Sequence, residues 1–308
     1  MPARLFLSSG DPMADRRFEF ARDLQLKGDL PAAADLLRQA IELAPDFVSA
    51  WFTLADIREK LGEHDAAVSA FQNARAGDPG DRHGAGLRLM RLGAEPVSGM
   101  PQAYVQTLFD QYAPRFESSL VDELGYRGPK LLFSAVLSVR AAARKPALFK
   151  RAIDLGCGTG LAASAFARSV DHFIGVDLSP RMIERSRATG LYAELDVADM
   201  LQGLRARPDA SADLILAADA MVYVAELAPV LAEAARVLAL GGLLAFTTET
   251  HDGEGVVIGH GLRYAHAAAY VRAMVESAGL ELLLLEYRSA RSEDHAPVPG
   301  LVAVATKT

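Results

Sequence analysis

The residues best suited to chemistry are two acids and three alternating glycines in the middle of the chain. Within the stretch RAIDLGCGTG, an apolar run ends in Asp154 and leads into Gly156, Gly158 and Gly160. Glycine lets the backbone turn tightly or approach a ligand closely, because it has no Cβ. A second apolar run ends in Asp177, where a carboxylate can accept hydrogen bonds from both hydroxyls of a ribose. The pattern therefore indicates a nucleotide site.

The glycine spacing separates two kinds of nucleotide ligand. A dinucleotide fingerprint reads G-x-G-x-x-G, and a helix N-terminus there receives a pyrophosphate. Here the glycines alternate, and Asp154 stands two residues before the first of them. A carboxylate at this position would repel a pyrophosphate and would suit a ligand with a cationic amino group. An NAD-dependent oxidoreductase is therefore the weaker alternative.

The pattern D-x-G-x-G-x-G resembles the nucleotide loop of class I S-adenosylmethionine-dependent methyltransferases. In that family the loop wraps the methionine portion of the cofactor, and the acid that ends the second strand binds the ribose. The L-S-P-R-M segment that follows Asp177 resembles part of the adenosine pocket of that family. An acid followed by an apolar residue after the third strand resembles the adenine contact. Asp199 with Met200 is the favoured pair, and Asp196 is the alternative acid. The resemblance implies cofactor contacts from Asp154, Gly156, Cys157, Gly158, Gly160, Asp177, Leu178, Met182, Asp199, Met200 and Asp219. Cys157 is interpreted as a small filler of the loop.

An aromatic segment lies upstream of the glycine loop. The sequence YVQTLFDQYAPRF resembles the F-D-x-Y-A-like helices of small-molecule methyltransferases, in which the tyrosine closes over the methionine tail. Tyr112 is the candidate for that contact. The alternative is that this aromatic ring only packs its helix against the core. Pro114 interrupts the helix and favours a lid-like kink.

The residues that follow the fifth predicted strand are candidates for the acceptor side. His251, Arg263, Tyr264 and His266 could bind an acceptor or remove its proton. Each histidine can equally be a surface or hydrogen-bonded residue, and Arg263 can equally pair with an acid. These histidines lack the spacing of metal ligands, so no metal is expected. His295 lies in a polar loop and is expected to face solvent.

Alternating apolar runs and helical patterns position these residues. The first two runs, with a short crossover between them, form a βαβ unit, which predicts parallel strands and an α/β fold. A helix is predicted over residues 231–240, ending at two glycines. Further strands are predicted over residues 214–218, 243–248, 280–287 and 301–305. The resemblance implies a Rossmann-like, seven-stranded sheet of order 3-2-1-4-5-7-6, with the last strand antiparallel.

A period of 34 residues marks the N-terminal third of the chain. The pairs at that interval are Gly28 and Gly62, Ala33 and Ala67, Leu37 and Phe71, Ala40 and Ala74, and Pro45 and Pro79. Small residues let helices approach, large ones fill the space between them, and glycine and proline mark turns and helix ends. Over residues 14–80 the pattern resembles two tetratricopeptide repeats, whose length is also 34.

Two repeats would leave an apolar end uncovered, so residues 81–93 are predicted to form a capping helix. The sequence predicts an all-α repeat module over residues 1–98 and a methyltransferase domain with N-terminal lid helices over residues 99–308. One alternative is that the module only packs, either on its own chain or on a second copy of it. The other is that it holds a protein or peptide partner. The sequence leaves these alternatives open.

Composition excludes several classes of function. Among 308 residues the formal net charge is −7 and Lys and Arg are scattered, so a nucleic-acid partner is not expected. One cysteine rules out an internal disulfide. The N-terminal apolar stretch is too short for a secretory signal, and no apolar run reaches the roughly 20 residues that span a bilayer. A cytoplasmic protein without membrane contact is expected.

Together these patterns predict an S-adenosylmethionine-dependent methyltransferase with a small-molecule or protein acceptor. Its product from the cofactor would be S-adenosylhomocysteine. Because the methyl group of the cofactor is already activated, the enzyme has mainly to align the acceptor and exclude water. The alternative is a nonenzymatic repeat scaffold with a nucleotide-sensing domain.

Overall fold

The computed structural model describes residues 5–116, 125–259, 261–293 and 296–308. The chain divides into two compact units, residues 1–107 and residues 108–308. The boundary lies inside a helix, Gln102–Tyr112, and differs from the predicted boundary at 98/99.

The first unit is helical. Its helices are α1 (Pro12–Leu26), α2 (Leu30–Leu43), α3 (Val48–Lys60), α4 (His64–Gly77) and α5 (Ala85–Arg91). The turns within the two helical pairs contain Gly28 and Gly62, which have φ angles of 85° and 78°. This left-handed conformation disfavours residues with a Cβ, which explains the repeated glycine. The paired small and large residues of the 34-residue period are all buried.

Helix α5 covers the end of the second repeat. Ala85 and Leu89 pack into the apolar cluster of α3 and α4. Arg88 also donates hydrogen bonds to Asp56 at 2.8 Å and to Glu59 at 3.2 Å, both on α3. Burial of apolar surface and these ion pairs together hold the capping helix on the repeats.

The second unit is a three-layer α/β/α structure. Its long strands are β1 (Phe149–Leu155), β2 (Val170–Asp177), β3 (Tyr192–Val197), β4 (Ala212–Ala217), β5 (Leu238–Glu249), β8 (Leu280–Tyr287) and β11 (Gly300–Lys307). Short strands are β6 (Val256–Ile258), β7 (Tyr264–His266), β9 (Ser292–Glu293) and β10 (Ala296–Pro297). The helices from the boundary onward are α6 (Gln102–Tyr112), α7 (Gly128–Ala142), α8 (Leu161–Phe166), α9 (Pro180–Ala188), α10 (Met200–Arg205), α11 (Ala228–Val237) and α12 (Ala268–Ser277).

The long strands run in the order β3-β2-β1-β4-β5-β11-β8. Strands β3, β2, β1, β4 and β5 are parallel, whereas β11 is antiparallel to both of its neighbours. When the long strands alone are numbered, this order is 3-2-1-4-5-7-6, so the predicted fold class is confirmed. The carboxyl ends of the parallel strands meet at one edge, where open α/β sheets bind ligands.

Two apolar layers enclose the sheet. On one face, side chains such as Ile153, Ile215 and Phe246 pack against α10, α11 and α12. On the other face, residues such as Leu214 and Leu216 pack against α7 and α8. The alternation along each strand follows the two-residue period of β structure.

The predicted helix over residues 231–240 is wrong at its C-terminal end. Helix α11 ends at Val237, and β5 already begins at Leu238, which pairs with Ala212 of β4. The register shifts before the next pair, Leu214 and Leu243. Gly241, with a φ of 75°, lies in this irregular part of the strand. Strand pairing to β4 therefore overrides the local helical pattern.

No helix in the described ranges combines the length and apolar character needed to cross a membrane.

Candidate functional site

The glycine loop, residues 156–160, connects the end of β1 to α8. Gly156, Gly158 and Gly160 have φ angles of 66°, 55° and 94°. The backbone N–H groups of Gly156 and Cys157 donate to the Val176 carbonyl at 2.8 and 3.0 Å, which ties the loop to β2. All three glycines therefore meet a conformational requirement that other residues satisfy only with strain.

Close packing adds a second requirement for glycine in the loop. A Cβ on Gly156 would lie 2.7 Å from the Cβ of Ala220, which follows β4. A Cβ on Gly158 would lie 3.4 Å from the Phe116 ring, and one on Gly160 would lie 3.2 Å from the Tyr192 ring. The loop is thus a cradle that packs so closely against protein side chains that a Cβ at these positions would crowd them.

Asp177 holds this loop in place at the end of β2. Its carboxylate accepts hydrogen bonds from the backbone N–H of Gly158 at 2.9 Å and of Ser179 at 2.8 Å. Only 8% of the residue is exposed. Burial raises the pKa of Asp177 to about 6. Each carboxylate oxygen has a further lone pair, so the group can also accept from ligand hydroxyls.

Asp154 faces the interior instead of an open pocket. It is 1% exposed, and its Oδ2 accepts a 2.6 Å hydrogen bond from the Tyr192 hydroxyl. Burial raises the pKa of Asp154 to about 7. The attraction of this carboxylate for a cationic ligand group stays a prediction. The Tyr192 ring that donates to it is also the ring that a Cβ on Gly160 would approach.

Cys157 and Ser186 complete the inner side of the loop. The Ser186 hydroxyl donates to the Gly158 carbonyl at 2.7 Å, and its oxygen is 3.7 Å from the Cys157 sulfur. Burial raises the pKa of the Cys157 thiol, which keeps it protonated at neutral pH. These contacts agree with a small filler at this position.

The residues after Asp177 begin helix α9. The Ser179 hydroxyl oxygen accepts a hydrogen bond from the Met182 N–H at 3.1 Å and caps the helix. The same hydroxyl donates to the Asp110 carboxylate at 2.5 Å. Met182 is fully buried, and Leu178 is partly exposed beside the loop.

The aromatic segment over residues 109–116 lies across the glycine loop. Phe109 contacts Tyr223 edge-on, with ring centroids 5.2 Å apart, and Phe116 lies against Gly158. Arg185 of α9 donates to the Pro114 carbonyl at 3.1 Å. Tyr112 is partly buried within the same segment. The segment therefore covers the ligand edge of the sheet near the loop.

The acids after β3 have local partners. Asp199 caps α10 by accepting from the Gln202 N–H at 2.9 Å, and Met200 packs against the core. Asp196, the alternative candidate, forms an ion pair with Arg207. Asp199 is therefore held at the start of a helix, while Asp196 is partly neutralised.

Asp219 lies at the end of β4 in a left-handed conformation, with a φ of 57°. Its N–H donates to the Thr247 hydroxyl at 2.8 Å, and its carboxylate pairs with Arg291. Non-glycine residues held in this region concentrate at functional sites. Burial, followed by the Asp219 charge, raises the pKa of Tyr126.

A charged network closes the end of β5. The Arg291 side chain is 4% exposed and pairs with Asp219 and Glu249. Arg263 pairs with Glu249 at 2.5 Å and with Glu293. Arg263 was a candidate for an anionic acceptor, but its guanidinium already binds two carboxylates. The alternative that Arg263 pairs with an acid describes these contacts, and an acceptor contact from it stays a prediction.

His266 is not placed as a base. It is fully buried, and its Nε2–H donates to the Val224 carbonyl at 2.9 Å, so its Nδ1 accepts from the Thr248 hydroxyl at 2.7 Å. Burial lowers the pKa of His266 to about 4. Both nitrogens bind protein groups, as in the alternative of a hydrogen-bonded histidine, and its acceptor-side role stays a prediction. Tyr264 is also fully buried, and burial raises its pKa to about 12.

His251 stabilises a turn. Its Nδ1 accepts from the Gly253 N–H at 3.1 Å, and its Nε2 is 3.3 Å from the Gly255 carbonyl. Both ring nitrogens are thus used locally, so the structure does not present this residue as a free base. His295 lies outside the described residues. Within the described part of the chain, no group of three or more His, Cys, Asp or Glu residues could hold a metal ion.

Sequence reasoning missed several residues that shape the site. Tyr192, Ser186, Asp110, Glu249 and Arg291 reach it from distant parts of the chain. Asp110 belongs to the F-D-x-Y-A-like segment, but that motif did not indicate its contact with Ser179, and the other four belong to no short motif. Only the adjacency of their strands and loops in the fold brings them together.

Comparison with known proteins identifies both parts of the chain. Residues 153–246 match the family model of a methyltransferase domain, and residues 18–82 match that of a tetratricopeptide repeat. The human methyltransferase-like protein 27 is 28% identical over 199 residues, which cover 64% of this chain and 76% of that protein. The ubiquinone biosynthesis O-methyltransferase of Xylella fastidiosa is 30% identical over 148 residues, covering 47% of this chain and 60% of the relative.

Solved structures agree with the fold. The (4+2)-cyclase SpnF aligns with a TM-score of 0.54 at 20% identity, covering 69% of this chain and 97% of that one. A Haloferax volcanii methyltransferase in complex with the Trm112 activator aligns with a TM-score of 0.50 at 20% identity, covering 64% and 96%. At this identity the likeness concerns the fold alone, which hosts more than one reaction.

Proposed function

Since the chain belongs to the S-adenosylmethionine-dependent methyltransferases and carries tetratricopeptide repeats, we propose a methyl-transfer function for it. The proposed acceptor is a small molecule bound at the carboxyl ends of β4 and β5. The observation that carries the proposal is the glycine loop held against Asp177 at the ligand edge of the sheet. The relative from Xylella fastidiosa, named for ubiquinone biosynthesis, supports a small-molecule acceptor.

The residues of the loop fit the cofactor. The three glycines let the loop pack closely against neighbouring side chains, and the Asp177 carboxylate bonded to that loop has lone pairs available for ribose hydroxyls. The Thr159 hydroxyl is buried in the same loop and has no hydrogen-bond partner among the described residues. A buried polar atom of this kind is satisfied when a ligand supplies the partner. When bound, the cofactor supplies a methyl group that is already activated for transfer.

Aromatic side chains would keep water away from the reaction. Phe109, Phe116 and Tyr223 form edge-on contacts over the glycine loop, with ring centroids 5.2 and 6.2 Å apart. Their apolar surface excludes water and restricts the acceptor to one direction of approach. Alignment and desolvation are the contributions that a transfer from an activated methyl group needs most.

The candidate bases among the described residues after β4 and β5 are already bonded to protein groups. The ring nitrogens of His251 and His266 bind protein groups, and the carboxylates of Asp219 and Glu249 bind arginines. We therefore propose that the acceptor arrives as a ready nucleophile, either an amine with its lone pair or an ionised oxygen.

The cofactor assignment can be tested by calorimetry with S-adenosylhomocysteine. Asp177→Asn should weaken binding about tenfold or more, since hydrogen bonds to a charged group contribute about 1.5–3 kcal/mol. Asp171→Asn is the matched control, because Asp171 is exposed on the same strand. Unchanged affinity in Asp177→Asn would refute the ribose contact. A thermal melt of each variant shows whether the loop still folds.

The acceptor class needs a separate measurement. The purified chain is incubated with methyl-labelled S-adenosylmethionine and a cell extract, and the label is then followed into low-molecular-mass and protein fractions. The proposal expects label in small molecules. Label that enters only protein would contradict a small-molecule acceptor while leaving the cofactor assignment intact.

A further inference from the structure

Ser179, the residue that caps helix α9, joins two carboxylates. Its backbone N–H donates to Asp177 at 2.8 Å, and its hydroxyl donates to Asp110 at 2.5 Å. Ser179 is fully buried. Asp177 is the proposed ribose acid, whereas Asp110 belongs to the aromatic segment over residues 109–116. One buried serine therefore fixes the positions of the ribose acid and of this segment together.

Helix α9 holds the aromatic segment through two arginines as well. The Arg181 guanidinium donates to the Asp110 carbonyl at 3.2 Å, and the Arg181 N–H lies 3.4 Å from the Asp110 carboxylate. Further along the segment, the Pro114 carbonyl accepts from Arg185 at 3.1 Å. The two arginines lie on the same face of the helix, as residues at this spacing do. Together with the bond from Ser179, these contacts form a latch between α9 and the segment.

The aromatic side chains of the segment reach past the glycine loop. Phe116 lies against Gly158, and its ring centroid is 6.2 Å from that of Phe109. Phe109 in turn contacts Tyr223, which follows β4. The segment therefore connects α9, on one side of the loop, to the residues after β4 on the other side. We expect a cofactor bound against the loop to enter and leave when the segment lifts.

Little apolar burial holds the segment in place. Every residue of α6, which ends at Tyr112, is at least partly exposed. Among the described side chains of residues 109–116, only Ala113 is buried. Elements with few buried apolar contacts open at a low free energy. We therefore expect the polar contacts of the latch to supply much of the free energy that keeps the segment on the loop.

Asp110 also brings a second negative charge near the ribose acid. Burial raises the pKa of Asp177 to about 6, and the Asp110 charge adds to that rise. Repulsion between like charges opposes the latch, whereas the hydrogen bond from Ser179 favours it. The substitution Asp110→Asn keeps an acceptor for the Ser179 hydroxyl and removes the charge. It therefore separates the effect of the hydrogen bond from the effect of the charge.

We propose that Asp110 is a positioning residue that controls access to the cofactor site, because its latch to α9 sets how often the aromatic segment lifts from the glycine loop. This inference rests on the proposed function. Every bond of the latch joins two protein groups, so the latch adds no contact to the cofactor. Its loss should therefore speed the entry and the exit of the cofactor alike and leave the affinity nearly unchanged.

Surface plasmon resonance on the immobilised full chain, with S-adenosylhomocysteine as the analyte, measures both rate constants. Asp110→Ala removes a hydrogen bond to a charged group, so both rate constants should rise about tenfold, which corresponds to about 1.4 kcal/mol. Asp110→Asn should stay within about threefold of the wild-type rate constants, because the hydrogen bond from Ser179 is retained. Arg185→Ala removes the contact with Pro114 from an exposed position, and both rate constants should rise about threefold.

Glu184→Gln is the matched control, because it removes an exposed carboxylate from α9 and should leave both rate constants unchanged. Wild-type rate constants in Asp110→Ala and Arg185→Ala would overturn the proposal. It would also be overturned if Asp110→Asn matched Asp110→Ala, since the charge would then be the cause.

The affinity gives a further check on the role of Asp110. A faster exit alone, with weaker binding in Asp110→Ala, would overturn the proposal, because Asp110 would then support the cofactor site itself. A wild type that does not bind S-adenosylhomocysteine would refute the proposed function and the latch with it. Binding by the wild type with unaltered rate constants in the variants would refute the latch alone.

Discussion

Replacement of Gly156 by alanine tests how the glycine loop is built. Gly156 combines a φ of 66° with a neighbour that its Cβ would approach to 2.7 Å, the Cβ of Ala220. Gly190 has a φ of 68°, but a Cβ there would meet nothing within 4 Å. The pair Gly156→Ala and Gly190→Ala therefore separates the cost of the backbone conformation from the cost of the close contact.

The expected magnitudes follow from these two terms. A left-handed conformation costs an L-residue about 1–2 kcal/mol, and both variants bear this cost. Two carbon atoms prefer a separation of about 3.5–4.0 Å, so Gly156→Ala also has to push its neighbour away. Overpacking of this kind typically costs about 1–3 kcal/mol. The free energy of unfolding should fall by about 1–2 kcal/mol in Gly190→Ala and by about 2–5 kcal/mol in Gly156→Ala.

Urea titration measures the free energy of unfolding, and calorimetry measures the affinity for S-adenosylhomocysteine, which depends on the loop. Gly156→Ala should lose both stability and affinity, because the displaced backbone belongs to the cradle. Gly190→Ala should lose stability only. Equal losses of stability in the two variants, with wild-type affinity in both, would show that the contact between Gly156 and Ala220 does not constrain the loop.

Three further predictions concern buried polar groups. Arg291→Ala removes a buried guanidinium and leaves Asp219 without its arginine, although Glu249 keeps Arg263, and it should cost about 3–5 kcal/mol in urea titration. The exposed Arg288→Ala should change stability by less than about 1 kcal/mol. Burial raises the pKa of Asp154 from 3.8 to about 7, so the folded state retains a proton that the unfolded chain has lost, and stability should fall as pH rises between these values. Asp154→Asn should flatten that decline, and an unchanged slope would contradict the assignment. His266→Ala should lower stability by about 2–5 kcal/mol through two lost hydrogen bonds, yet leave S-adenosylhomocysteine affinity intact in calorimetry of the folded variant.

Local features of the chain were predictable from sequence. The helical repeats and the glycine loop depend on residue types at short, regular spacing, whereas the strand order was implied only by the family resemblance. The end of α11 was not predictable in this way, because Leu238 is drawn into β5 by its pairing with Ala212. A periodic pattern reports local preference, and a neighbouring strand can override it.

The sequence by itself determined where the backbone must turn and which residues recur every 34 positions, since these depend on glycine conformation and on the length of a repeat. Only the tertiary structure decided which polar groups meet. It paired Asp219 with Arg291 across 72 residues and directed Asp154 to the Tyr192 hydroxyl. The physical reason is that hydrogen bonds act over about 3 Å, so their partners are chosen by which elements become neighbours rather than by distance along the chain.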